Sequence, residues 1–139
     1  MKIVIDSNRV LAAMIKESTT RELLFDHFFE FIAPDFILTE VQKYKQRILD
    51  ASKISENDFA LLVTLIFEHI TIIPQEEYQS YLSIEHEIHD TKDFPYIAVC
   101  LALQAEGIWS HDPDFLQQKE VKVFTNFHLL TFSGKAKKS

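Results

Sequence analysis

Short apolar runs that alternate with helical segments constrain the fold of this chain more than any other feature of its sequence. Five runs are predicted to be strands because they are short, apolar and rich in β-branched or aromatic residues; they cover residues 2–5, 29–33, 70–73, 108–110 and 121–124. Strands that are apolar on both faces and separated by helices form parallel sheets with helices on both sides. The sequence therefore predicts an α/β fold with a central parallel five-stranded sheet.

The segments between these runs carry helix signals. Ser18, Ser55 and Asp93 are residue types that favour the N-cap position, and each precedes an apolar pattern of helical spacing. Gly107 is predicted to end the helix that begins at Asp93. Other predicted helices cover residues 10–15, 35–49, 76–88 and 126–132.

The composition excludes several classes of protein. Only two glycines occur in 139 residues, so neither a P-loop nor a dinucleotide-binding fingerprint can be built. The single cysteine, Cys100, excludes an internal disulfide and a cysteine-based zinc site, and its apolar neighbours predict a buried, inert thiol. No run is long enough for a membrane span and no signal peptide is evident, so we expect a cytoplasmic protein.

The length fits one domain, which we expect over residues 1–133, followed by a basic flexible tail over residues 134–139. The formal net charge of -7 disfavours a broad positive surface for nucleic acid. Acids that share one cleft would count in this sum and yet be neutralised by bound divalent cations. Whether the net charge argues against nucleic-acid binding therefore depends on where the acids lie in the fold.

Two acids follow two of the predicted strands. Asp6 comes immediately after the run that ends at Ile5, and Asp112 comes one residue after the run that ends at Ser110. Because sites in open parallel sheets form at the carboxyl ends of the strands, both acids are expected at the same edge of the sheet. The alternative for each is a capping role at the next helix or turn.

Two further acids belong to helices. Asp93 begins an apolar helix with Pro95 in its first turn, which is also the place of an ordinary N-cap. Helix starts lie at the same edge of the sheet as Asp6, and a carboxylate there can reach a metal. Glu40 borders an apolar stripe of its helix, and it is either a surface residue or a metal ligand.

Clustered carboxylates suit one kind of chemistry. Hydrolysis of a phosphodiester requires a nucleophile to approach a phosphorus that negative oxygens surround, and divalent cations activate the water and stabilise the leaving oxygen. Mg²⁺ and Mn²⁺ prefer the oxygen ligands that aspartate and glutamate supply. Such a site needs no histidine or cysteine.

The ordered set of motifs resembles the PIN-domain nucleases. The resemblance rests on Ile3-Val4-Ile5-Asp6-Ser7-Asn8, on Pro34 with Glu40, on residues 90–98 and on residues 109–115. It implies a three-layer α/β/α sandwich and the activity of an endoribonuclease that depends on Mg²⁺ or Mn²⁺. Many short members of this family are VapC-like toxins of toxin–antitoxin pairs and are often dimeric. An RNA substrate, an antitoxin partner and a homodimer are therefore implied as well.

The resemblance also implies roles for individual residues. The catalytic and metal-binding acids are Asp6, Glu40, Asp93 and Asp112. The supporting residues are Asn8, Ser110, Asp90 and Asp114, of which Asp114 is either a fifth acid or a turn residue beside Pro113. The candidate substrate contacts are Lys92 and His111.

Several patterns keep a structural alternative. Lys43, Lys45 and Arg47 provide either phosphate contacts or a solvated helix face. His86 and His89 are either a transition-metal pair or surface residues. For the chain as a whole, the alternatives to a toxin are a nuclease without an antitoxin and a catalytically silent binding module of the same fold.

Overall fold

The chain folds around a sheet of five parallel strands. A computed structural model describes residues 1–16, 18–82 and 91–135. The strands are β1 (Lys2–Ile5), β2 (Glu30–Pro34), β3 (Ile70–Ile73), β4 (Ile108–Trp109) and β5 (Val123–Phe124). Their order across the sheet is β3-β2-β1-β4-β5, and every neighbouring pair is parallel. The predicted five-stranded parallel sheet is confirmed.

Helices connect and cover these strands. In the described part of the chain they are α1 (Ser7–Ile15), α2 (Thr19–Leu24), α3 (Phe36–Lys43), α4 (Lys45–Ser52), α5 (Glu56–Phe67), α6 (Gln75–Leu82), α7 (Phe94–Leu103) and α8 (Asn126–Phe132). Helix α7 packs against β1, β2 and β4 with α6 beside it, whereas α1 packs against α2, α3, α4 and α5. The sheet thus lies between helical layers, as expected for an α/β/α sandwich.

Strand β1 lies at the centre of the sheet, where the direction of strand addition reverses. The chain adds β2 and β3 on one side of β1 and then β4 and β5 on the other. Loops that leave two neighbouring strands in opposite directions open a crevice at the carboxyl ends of those strands. Asp6 follows β1 and Ser110 follows β4, so both residues lie at this edge of the sheet.

The core beneath this crevice is aromatic and fully closed. Trp109 of β4 is 0% exposed, and its ring stacks on Phe31 of β2 at a centroid distance of 5.2 Å. Cys100 is buried as predicted, and burial raises the pKa of its thiol to about 12, so the thiol stays protonated and inert. Among the described residues, no helix combines the length and apolarity that crossing a membrane requires.

The predicted continuous helix over residues 35–49 was wrong. Helices α3 and α4 are separate, and Tyr44 between them has φ −98° and ψ 10°, outside the helical region. No glycine or proline marks this break, so the apolar periodicity that continues across it concealed the interruption.

The predicted end of helix α7 at Gly107 was also wrong. The helix ends at Leu103, and Gln104 takes the left-handed conformation with φ 53°. Gly107 is needed for packing instead. A Cβ there would lie 2.6 Å from the Phe124 ring and 2.7 Å from the Lys122 carbonyl oxygen.

Two predictions extend beyond the described residues. Helix α6 is described to Leu82, so the rest of the helix predicted over residues 76–88 lies outside them. His86, His89 and Asp90 lie outside them as well. Of the predicted tail, Lys135 forms an ion pair with Asp26 at 2.8 Å, and residues 136–139 are not described.

Candidate metal and active site

The junction of β1 and β4 fixes the first acid of the site. Ile5 pairs with Trp109 in register, and the Asp6 backbone N–H donates to the Trp109 carbonyl oxygen at 3.1 Å. Asp6 and Ser110 therefore emerge side by side, and the Ser110 hydroxyl donates to Oδ2 of Asp6 at 2.7 Å. Both side chains are buried. Asp6 occupies the N-cap position of α1 but makes no capping hydrogen bond with its side chain.

Three further carboxylates meet beside this junction. One oxygen each from Asp93, Asp112 and Asp114 lies within 4.8 Å of the others. Asp112 is held in place because its backbone N–H donates to Ser110 Oγ at 3.0 Å, and its Oδ1 accepts the Asp114 backbone N–H at 2.9 Å. The predicted capping role thus applies to Asp112, whereas Asp93 makes no such bond at the start of α7. Asp114 is both a turn residue and a member of the cluster.

Glu40 enters the site from helix α3 and is held by a tyrosine. The Tyr96 hydroxyl donates to Glu40 Oε1. Tyr96 is 1% exposed. Burial raises the pKa of its phenol well above the usual range, and the negative charge of Glu40 raises it further. The phenol therefore stays protonated and acts as a fixed donor to Glu40.

Burial and neighbouring acids raise the proton affinity of Asp6. Burial raises the pKa of Asp6 from 3.8 to about 6, and the negative charges of Glu40 and Asp112 act in the same direction. The Ser110 hydroxyl opposes this rise. Asp6 therefore lies within electrostatic range of Glu40 and Asp112, and Asp112 forms a closer group with Asp93 and Asp114.

The predicted substrate contacts lie at the edge of the cluster. Lys92 is exposed in the 3₁₀ turn Thr91–Asp93, immediately before Asp93. His111 is exposed, and its Nε2 accepts the Asn126 backbone N–H at 3.1 Å. Burial and the positive charge of Arg9 lower the pKa of His111, which favours the neutral ring that this hydrogen bond requires. Asn8 is exposed in the first turn of α1.

Sequence reasoning missed two residues of the site. Tyr96 lies in the apolar run of α7, and nothing in the sequence marks its contact with Glu40, which is 56 positions away. Arg9 lies half-buried near Asp6, whose charge acts on the guanidinium. Its place three residues after Asp6, on the first turn of a helix that leaves the central strand, was the available signal.

The donor set fits a hard divalent cation. Carboxylate oxygens are the ligands that Mg²⁺, Mn²⁺ and Ca²⁺ prefer, and three of them lie close enough for one ion to bind all three. The raised pKa of Asp6 points the same way, because a carboxylate that is buried first of all, and also close to other acids, holds its proton more tightly when no cation is bound. Within the described residues, this is the group of acids and histidines that could hold an ion.

Comparison with known families agrees with this geometry. A family model described as the PIN domain matches residues 4–126, from β1 to the start of α8. The match includes all five acids of the site. None of the curated proteins compared with the chain is similar enough to count as a match.

The shifted pKa of Asp6 predicts how the stability of the metal-free protein depends on pH. The folded protein keeps this proton up to about pH 6, whereas the unfolded chain loses it near 3.8. The contribution of this proton to the free energy of unfolding is therefore fully present below pH 3.8 and is lost as the pH rises through about 6. The loss amounts to at most about 3 kcal/mol. In EDTA, Asp6→Asn should melt at a higher temperature than the wild type at pH 7.5, and the gain should shrink at pH 4.

Asp50→Asn is the matched control, because it removes the same charge from an exposed position on α4. Its melting temperature should follow that of the wild type at both pH values. If Asp6→Asn behaved like Asp50→Asn, Asp6 would not be the source of the pH dependence.

Proposed function

The chain belongs to the PIN-domain family, and on that premise we propose that it is a metal-dependent endoribonuclease that hydrolyses RNA phosphodiester bonds with Mg²⁺ or Mn²⁺. The observation that carries this proposal is the group of three carboxylates formed by Asp93, Asp112 and Asp114, with Asp6 and Glu40 within electrostatic range of each other. Acids so distant in sequence meet at a cost in electrostatic energy, and a bound cation offsets that cost.

Each residue has a distinct task under this proposal. Asp6, Glu40, Asp93 and Asp112 hold the cation, with Asp114 as a fifth acid. Ser110 orients Asp6 and the backbone of Asp112 through one hydroxyl. Tyr96 orients Glu40. When bound, the cation activates water and offsets negative charge on the phosphate.

Nuclease activity should depend on metal and on the acids. We expect the wild type to cleave mixed RNA with Mn²⁺ or Mg²⁺ and not with EDTA. Asp6→Asn and Asp93→Asn should lower the cleavage rate at least about 100-fold, because each removes a charge from the cation site. Denaturing gels of a labelled RNA give the rates.

The control for this assay is again Asp50→Asn, purified in the same way, which should cleave like the wild type. Equal cleavage by the Asp6→Asn and Asp93→Asn proteins would assign the activity to a contaminant. No cleavage by the wild type with either metal would favour a silent binding module.

Tyr96→Phe tests whether Glu40 binds the cation in the orientation that Tyr96 imposes. The substitution removes only the hydroxyl, and loss of such an orienting group lowers metal affinity about 10-fold or more. Mn²⁺ titration by calorimetry measures the affinity, and Glu40→Gln should lower it further. Tyr78→Phe is the control, since it removes a hydroxyl that donates to Asp35 at 2.6 Å, on a different element from the acids. Equal Mn²⁺ affinity in the wild type, Tyr96→Phe and Glu40→Gln would exclude Glu40 as a ligand.

We further propose that the protein is the toxin of a toxin–antitoxin pair and acts as a homodimer in the cytoplasm. The match to the PIN-domain family supports this role, because many members of that family are such toxins. Leu61 and Leu65, one turn apart on α5, are 59% and 42% exposed and offer an apolar surface for a partner.

The toxin role predicts growth arrest on induced expression. Wild-type protein should stop growth because RNA is cleaved, and Asp93→Asn should not, at equal protein level on an immunoblot. Co-expression of a small neighbouring gene should restore growth. Normal growth with a protein that cleaves RNA in vitro would favour a nuclease without an antitoxin.

A further inference from the structure

A cavity of about 430 Å³ opens beside the acidic site, between α1 and α4. Asp112 forms part of its wall, so the cavity and the proposed cation site are adjacent. Its apolar lining comes from two helices: Leu11, Ala12 and Ile15 of α1, and Ile48 of α4.

The rest of the lining includes two arginines, a tyrosine and a histidine, beside Asn8, Asp112 and Pro113. Arg9, Arg47, Tyr44 and His111 all line the cavity, although the chain as a whole carries a net charge of -7. The Arg47 guanidinium lies 5.9 Å from the centroid of the Tyr44 ring. An aromatic ring next to a guanidinium is the combination that proteins use to stack unpaired bases and to contact the backbone phosphates.

Two of these groups belong to a hydrogen-bond network around Asn126: His111 bonds it directly, and Arg9 shares the Thr20 hydroxyl with it. Arg9 Nη1 donates to the Thr20 hydroxyl at 3.4 Å, and Asn126 Nδ2 donates to the same oxygen at 3.0 Å. The Asn126 backbone N–H binds His111, and Asn126 Oδ1 accepts the Trp109 indole N–H at 2.9 Å. Arg9 and His111 are thus fixed to α2, β4 and the start of α8, which limits the entropy lost on binding a ligand.

We propose that this cavity binds one unpaired nucleotide of a single-stranded nucleic acid, next to the phosphate that the acids act on. The base packs on the apolar wall and Tyr44, and Arg9 and Arg47 contact the adjoining phosphates. A base that enters a cavity must be out of its duplex, so the substrate is single-stranded at this position. This proposal rests on the proposed nuclease function, since it places the cavity beside the reacting phosphate.

The test measures binding without cleavage. Fluorescence anisotropy of a short labelled single-stranded RNA is recorded in EDTA for the wild type, Arg47→Met and Tyr44→Leu. Both variants should bind about fivefold or more weakly, as expected for the loss of a stacking or phosphate contact. Their Mn²⁺ affinity, measured by calorimetry, should equal that of the wild type. The same RNA annealed to its complement should bind more weakly than the single strand.

Lys45→Met is the matched control. It removes one positive charge from the same helix as Arg47, but Lys45 lies over the Phe59 ring and 3.9 Å from Glu56, and it does not line the cavity. If Lys45→Met and Arg47→Met lowered the RNA affinity equally, the loss would reflect only the net charge of the protein, and the proposal would be overturned. Unchanged binding by Arg47→Met and Tyr44→Leu, or equal binding of the duplex, would also overturn it. This test measures binding and no cleavage. Failure of the nuclease proposal would show separately, in the cleavage assay, as a wild-type protein that is inactive with metal.

Discussion

The pairing of β1 with β4 is the interaction on which the site depends. These two strands come from distant parts of the sequence, and their register places Asp6 next to Ser110 at the carboxyl edge of the sheet. One serine hydroxyl then serves both the Asp6 carboxylate and the Asp112 backbone. A slip of one residue would turn Asp6 and Ser110 to opposite faces of the sheet and separate the acids. The buried Trp109, stacked on Phe31, stabilises the register.

Function and stability oppose each other at this edge of the sheet. Burial and neighbouring carboxylates raise the pKa of Asp6, which means that the ionised site destabilises the fold near neutral pH. The helices and strands behind it supply the compensating apolar burial, from a core that includes Ile3, Val4 and Ile5 at 0% exposure. A cation that binds only the folded protein would add its own binding free energy to the stability.

The sequence was most informative where local rules apply. Strand runs and the acids after them predicted the sheet and the shared edge of Asp6 and Asp112, since parallel strands end on the same side. It was least informative where contacts join distant residues: the bond between Tyr96 and Glu40 has no local pattern. The break at Tyr44 and the left-handed Gln104 were missed because neither position carries the glycine or proline that usually marks such a geometry. The tasks assigned to the individual acids stay predictions.

The break at Tyr44 puts Glu40 and Arg47, to which the proposals give different tasks, on two separate helices. Helix α3 carries Glu40 towards the acids, and α4 carries Arg47 and Ile48 along α1. An insertion or substitution at this break would shift α4 relative to α3 while Glu40 stayed in place. Under the two proposals, substitutions in α4 would change which nucleotide binds while the acids and the reaction stayed the same, so related chains could differ in target and share one chemistry.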